Sequence, residues 1–214
     1  MKSNALLLDM DGVVLDSMRF HVAAWMKALS EHGFRVREEI LYLYEGAIEP
    51  DIAVDLFSSH GHLMDQERFH SVLRRQKEIF ISGFRKEVKP FPQVPDILSQ
   101  IKREEVDLAL VTSSHKDILE AVLPENLLRL FDQVITGDRV KKRKPHPDPY
   151  LEAMKALGMN GDSEAAAVEN APSGIKSAKA AGLRTIAITT TLPADRLEGA
   201  DTIISRHSQL LDVV

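Results

Sequence analysis

The 214-residue chain contains no cysteine. That absence removes disulfides, thiolate zinc sites, iron–sulfur clusters and cysteine nucleophiles together, and it agrees with a reducing compartment. Long apolar runs are also missing. After Lys2 the only early run is Ala5-Leu6-Leu7-Leu8, which Asp9 interrupts; this is too short for a signal-peptide core. No later stretch reaches the ~18 uninterrupted apolar residues of a membrane span. A soluble, cytoplasmic protein with no membrane partner is the expectation. Nor is there an excess of positive charge: 27 basic residues against 32 acidic ones give a formal net charge of -5. Without an overall field to hold a polyanion, nucleic acid is not a favoured partner. What is present is core-forming material, with 44% hydrophobic and 28% charged residues. A chain of this size buries roughly 70% of its unfolded surface, so disordered and collagen-like readings are excluded. At roughly 150 residues per domain, the length suggests one large domain or a domain with a sizeable insertion.

Short apolar runs recur along the chain, each ending at polar residues, as buried parallel strands do. They are Ala5–Leu8, Leu108–Val111, Val134–Ile135, Ala165–Val168, Thr185–Ile188 and Thr202–Ile204. Helical patterns fall between them at about Pro147–Leu157 and Pro172–Ala181, the latter opened by Pro172 and closed by Gly182. The alternation predicts a doubly wound, Rossmann-like α/β core with a parallel sheet. From about Ser17 to Ser82 it breaks, and only helical patterns remain. One runs over about Met18–Glu31; in another, Phe69, Val72, Leu73, Gln76, Ile79 and Phe80 form a stripe on a helix that Asp65 could cap. The expected organisation is a core of residues 1–16 and 83–214 with a helical cap, 17–82, inserted after the first strand. Pro90, Pro92 and Pro95 read as a stiff linker back to the sheet.

Ligands of parallel sheets bind beyond the carboxyl ends of the strands. There the first run delivers Asp9-Met10-Asp11-Gly12, the second Thr112-Ser113-Ser114 and the fourth Glu169-Asn170, and the loop after the third carries Lys144-Pro145. Asp9 and Asp11 stand two apart, so continued extension points both carboxylates to one side. Gly12 lets the backbone turn close to a ligand. Adjacent carboxylates repel, and a hard cation such as Mg²⁺, which takes oxygen ligands and shares them with a phosphate, is the usual remedy. Asn170 or Glu169 would add a further oxygen. Lys144, fixed by the prolines after it, offers a compact point charge suited to a phosphate.

These four segments, in this order, resemble the haloacid dehalogenase superfamily of phosphatases. The first motif stands as Leu6-Leu7-Leu8-Asp9-Met10-Asp11-Gly12-Val13-Val14, the second as Leu110-Val111-Thr112, the third as Lys144-Pro145 and the fourth as Val168-Glu169-Asn170. A helical cap between the first two motifs is similar to the branch of β-phosphoglucomutase and phosphoglycolate phosphatase, as is Phe20-His21-Val22-Ala23-Ala24-Trp25. The resemblance implies Asp9 as nucleophile and Asp11 as acid and base. It further implies Thr112, the Ser113 backbone N–H and Lys144 around the phosphate, with Mg²⁺ at Asp9, Asp11 and Glu169 or Asn170. His21 is a candidate to hold Asp11 or touch substrate. Where the mutase carries cationic grips on its second phosphate, this chain has Glu49 and Gln76, with Lys77 adjacent. The expectation is therefore a Mg²⁺-dependent, monomeric phosphatase acting on a small phosphorylated metabolite through an aspartyl-phosphate. The alternatives are a phosphosugar mutase and a phosphoryl-accepting or phosphosugar-binding protein with little turnover.

Overall fold

The computed structural model describes residues 4–44, 47, 64–159 and 165–213. The six apolar runs form six strands: β1 Ala5–Leu8, β2 Asp107–Val111, β3 Gln133–Ile135, β4 Ala165–Glu169, β5 Arg184–Ile188 and β6 Thr202–Ile204. They make one parallel sheet in the order β3-β2-β1-β4-β5-β6. All four residues of β1 are buried, because the strand pairs on both sides and both its faces are covered. Alternate side chains therefore enter two cores. Leu6, Leu8, Leu108, Leu110 and Val168 join one that also holds the cap residues Val22, Trp25 and Phe69. Leu7, Ala109, Val111 and Ala167 join the other, with Tyr150 and Ala178. The alanines on this second face bring the helices that carry Tyr150 and Ala178 close to the sheet.

Between β1 and β2 the described residues are helical: α1 Met18–Glu31, α2 Glu38–Leu43, α3 Gln66–Ile79 and a π-helical turn, Phe80–Phe84. The Asp65 carboxylate accepts the Arg68 N–H at 2.8 Å and caps α3. Trp25 stacks on Phe69 and Arg75 bridges to Glu31, tying α3 to α1. The neck of the cap is two chain segments lying side by side: Asp16 N–H donates to Lys89 O, and Phe91 N–H donates to Val14 O. Pro90 pairs with Leu15 in this neck. Pro95 is not part of a linker but sits in the first turn of α4, Val94–Arg103, where a missing N–H costs nothing. The remaining helices are α5 Lys116–Val122, α6 Glu125–Leu128, α7 Asp148–Ala156, α8 Pro172–Ala180 and α9 Leu210–Val213. Among the described residues no helix is long and apolar enough to cross a membrane.

Strand order and register position the site. The chain runs outward from β1 through β2 to β3, then returns to the other flank of β1 with β4, which opens a crevice at the carboxyl ends of β1 and β4. Leu8 is level with Leu110 and with Val168. Asp9 consequently emerges abreast of Val111 and Glu169, one residue before Thr112 and Asn170.

Candidate active site

Lys144 crosses this crevice. Its Nζ donates to Asp9 Oδ1 at 2.7 Å and to the Val111 carbonyl at 2.8 Å, and lies 2.7 Å from Glu169 Oε1. Three acceptors match the three protons of an ammonium. Lys144 is 3% exposed and Glu169 1%. Burial opposes charge on Lys144, but Asp9 and Glu169 outweigh it and raise its pKa. The peptide before Pro145 is cis. Burial pushes the Asp9 carboxyl up to about 8, and the Glu169 and Asp11 carboxylates add to this against the pull of Lys144. Two carboxylates thus share one ammonium, with the Asp11 carboxylate beside them.

Asp11 has different surroundings. Ser17 Oγ donates to its Oδ1 at 2.6 Å, His21 Nε2 lies 3.1 Å from the same oxygen, and Ser114 Oγ donates to Oδ2 at 3.0 Å. Burial alone would raise its pKa, but the His21 imidazole and these hydrogen bonds together hold it below its ordinary value. His21 is itself stacked on Phe80 at 3.9 Å. The Asp11 carboxylate is therefore gripped from the cap by Ser17 and His21 and from the core by Ser114. Thr112 is buried at the end of β2, and its Oγ1 accepts the Ser114 N–H at 3.0 Å. Asp9, Asp11, His21, Thr112 and Ser113 all line one cavity of about 350 Å³, whose lining also includes Leu73 and Gln76 of α3.

The family described as haloacid dehalogenase-like hydrolase matches residues 6–188. The chain belongs to this family. Among characterised haloacid dehalogenase-like relatives, it is 31% identical over 179 residues to fructose-1-phosphate phosphatase of Escherichia coli, covering 83% of this chain and 92% of that protein. It is 29% identical over 205 residues to validoxylamine A 7'-phosphate phosphatase of Streptomyces hygroscopicus, covering 92% and 91%. A Bacteroides vulgatus structure, provisionally described as a beta-phosphoglucomutase, superposes with a TM-score of 0.80 at 31% identity, covering 95% of this chain and 84% of that one. The α/β core with its helical cap is thus that of the haloacid dehalogenase-like hydrolases, as the motifs anticipate.

In these hydrolases a divalent cation is expected, and the donors here fit one. Among the described residues no three His, Asp or Glu side chains are grouped to hold a metal, so a site must draw on amide and main-chain oxygens. Asn170 is 1% exposed, and its Nδ2 donates to Thr191 Oγ1 at 2.8 Å. That bond directs Oδ1 away, and Oδ1 accepts no hydrogen bond among the described residues. A buried acceptor left without a donor is uncommon. Hard oxygen donors beside an excess of carboxylate suit Mg²⁺. Glu169 is differently engaged: its Oε1 takes both Lys144 and the Tyr150 hydroxyl. It is also wedged against Gly174, where a Cβ would stand 2.0 Å from the carboxyl carbon. Burial and the nearby carboxylates raise the Tyr150 pKa well above its ordinary value, keeping the phenol a donor.

Two expectations change. Gly12 does not line the cavity: it is buried behind the wall at φ 83°, where a Cβ would stand 2.1 Å from Asn170 Nδ2. Its role is to let the loop pass beneath Asn170. The cap does bring cations to the cavity, because Arg74 and Lys77 line it on either side of the buried Gln76. Glu45 and Glu49 lie outside the described residues. Tyr150, Ser17 and Ser114 carry no isolated signal: Tyr150 reads as an apolar helix position, and the serines acquire meaning only when the chain brings them to Asp11.

Proposed function

We propose that this chain hydrolyses small phosphate monoesters, of sugars or similar polyols, through a phosphorylated Asp9. The observation that carries the reading is the convergence of Asp9 on Lys144 in one buried crevice with Asp11 held beside it by Ser17, His21 and Ser114. Fructose-1-phosphate and validoxylamine phosphatases among its relatives support the substrate class.

Asp9 Oδ2, which accepts no hydrogen bond among the described residues, attacks phosphorus while the ester oxygen leaves. Lys144, the Thr112 hydroxyl and the Ser113 N–H hold the equatorial oxygens where charge concentrates. Asp11, protonated at the start, gives the departing alkoxide a proton, then takes one from the water that attacks the phosphorylated Asp9, releasing phosphate and leaving Asp9 ionised and Asp11 protonated as they began. Hydrogen bonds that lower the Asp11 pKa favour the second role. A bound phosphate dianion, by repelling the Asp11 charge, favours the first. Asp9, the Asp11 main-chain carbonyl and Asn170 would hold Mg²⁺, which would supply charge that offsets repulsion between nucleophile and dianion. Glu169, with Tyr150 behind it, orients Lys144 rather than the cation. His21 and Trp25 from α1, with Leu73 and Gln76 from α3, cover the cavity and exclude water from the reacting centre.

The test is phosphate release from a panel including fructose 1-phosphate, glycerol 1-phosphate and hexitol phosphates, in Mg²⁺ and in chelator. The expected result is Mg²⁺-dependent release that Asp9→Asn lowers by at least about a thousandfold. No Mg²⁺-dependent release above the Asp9→Asn background from any compound would overturn it. Likeness to the Bacteroides vulgatus structure favours a second reading, a phosphosugar mutase. Efficient interconversion of β-glucose 1-phosphate and glucose 6-phosphate would establish that reading instead.

A further inference from the structure

Thr191 lies just beyond β5 and outside the lining of the catalytic cavity. The loop that carries it is tied down immediately before it. Thr189 N–H donates to Ile204 O at 3.0 Å, and the Thr190 hydroxyl donates to the Gly12 carbonyl. Thr191 Oγ1 is thereby set behind Asn170, where it accepts a hydrogen bond from Nδ2 at 2.8 Å. The fit is close: a Cβ at Gly12 would stand 2.1 Å from Asn170 Nδ2 and 2.7 Å from Thr191 Oγ1. Asn170 is buried, and its side chain makes no other hydrogen bond among the described residues. The amide is thus held by its nitrogen end alone, with its oxygen end left for a ligand.

We infer that Thr191 is a positioning residue for the cation site, and that it favours cation binding through an amide in that place and not through a carboxylate. This rests on the reading of Asn170 as a Mg²⁺ ligand and deepens it. A hydroxyl can accept a hydrogen bond or donate one. Toward Asn170 it accepts. An amide whose oxygen is drawn on by a cation becomes a better N–H donor, so the contacts at its two ends strengthen each other. Toward a carboxylate the same hydroxyl must donate. A cation that withdraws charge from the carboxylate weakens that bond, and the two contacts then compete. An amide oxygen brings a hard cation less charge than a carboxylate does. Thr191 offsets part of that loss by orienting and polarising the amide.

A double-mutant cycle on the full chain tests the inference: wild type, Thr191→Val, Asn170→Asp and the two changes together, each titrated with Mg²⁺. The readout is the Mg²⁺ concentration that gives half of the maximal rise in Tm, which needs no substrate. With Asn170 in place, Thr191→Val should raise this midpoint about five- to tenfold, the scale of one hydrogen bond. Thr191→Ser, which keeps the hydroxyl, should stay within about twofold of wild type. Combined with Asn170→Asp, Thr191→Val should leave the midpoint unmoved or lower it. A midpoint that Thr191→Val does not change in the wild-type background, or raises equally in both, overturns the inference, since an equal rise signals only a collapsed loop. Should Asn170→Asp not fold, Thr191→Val against Thr191→Ser decides: equal midpoints overturn the inference, and a rise confined to Thr191→Val supports it. Thr191→Ala replaces Thr191→Val if the valine variant does not fold. A wild type that responds to Mg²⁺ while these comparisons fail loses this inference alone. A wild type whose Tm and phosphate release are both indifferent to Mg²⁺ loses the metal reading as well.

Discussion

Asp9→Asn removes a carboxyl that burial and two neighbouring carboxylates raise to about 8, against 3.8 for the ordinary group. Between those values the folded protein holds a proton that the unfolded chain has released. Stability therefore falls as the pH rises through that window and levels off above it. A full proton corresponds to about 1.4 kcal/mol per pH unit, and sharing among Asp9, Lys144 and Glu169 lowers the slope. From pH 5 to pH 8 the metal-free wild type should lose about 2–4 kcal/mol relative to Asp9→Asn, whose amide cannot titrate. Urea unfolding of both proteins in chelator at unit pH steps measures this, and the difference between them cancels groups common to both. Added Mg²⁺ should restore much of the lost stability to the wild type and little to the variant. A gap that does not change between pH 5 and 8, or a variant less stable than wild type at pH 8, would refute the reasoning.

Other perturbations read other parts of the site. Gly12→Ala combines a left-handed backbone with a Cβ 2.1 Å from Asn170, and should cost about 3 kcal/mol or more; a loss below about 1 kcal/mol in urea would contradict the close packing. Tyr150→Phe strips a donor from buried Glu169 and should destabilise by about 1–3 kcal/mol in the same assay. His207 donates from Nε2 to Val13 O at 2.8 Å, and burial lowers its pKa. Below about 6.5 the unfolded chain takes up a proton that the folded one resists, so stability falls as the pH drops. His207→Gln should shrink the decrease in Tm between pH 7.5 and 5.5; an equal decrease in both proteins would place that slope elsewhere.

The sheet was legible because strands buried on both faces leave uninterrupted apolar runs, and each of the six observed strands includes its predicted run. The cap helices Met18–Glu31 and Gln66–Ile79 were equally plain, from an apolar stripe and from Asp65 at a first turn. Short α2, α5 and α6 and the π-helical turn at Phe80 were not, since they bury too few residues to set a period. Within the site, Asp9, Asp11, Thr112 and Lys144 could be found because each follows a strand, where the fold gathers chemistry. Tyr150 could not, because its hydroxyl matters only through Glu169, nineteen residues away across the sheet. Gln76 drew attention from Arg74 and Lys77 for a related reason. Sequence spacing alone leaves the rotation of a helix uncertain by a residue, and that much decides which side chains face a cavity.

Trapping the phosphorylated enzyme tests the central claim most directly. Protein mixed with a ³²P-labelled substrate and Mg²⁺ should, on rapid acid quenching, carry hydroxylamine-labile label on the peptide containing Asp9, and Asp9→Asn should carry none. Phosphate release that proceeds with no label on that peptide, or that survives Asp9→Asn, would contradict the account.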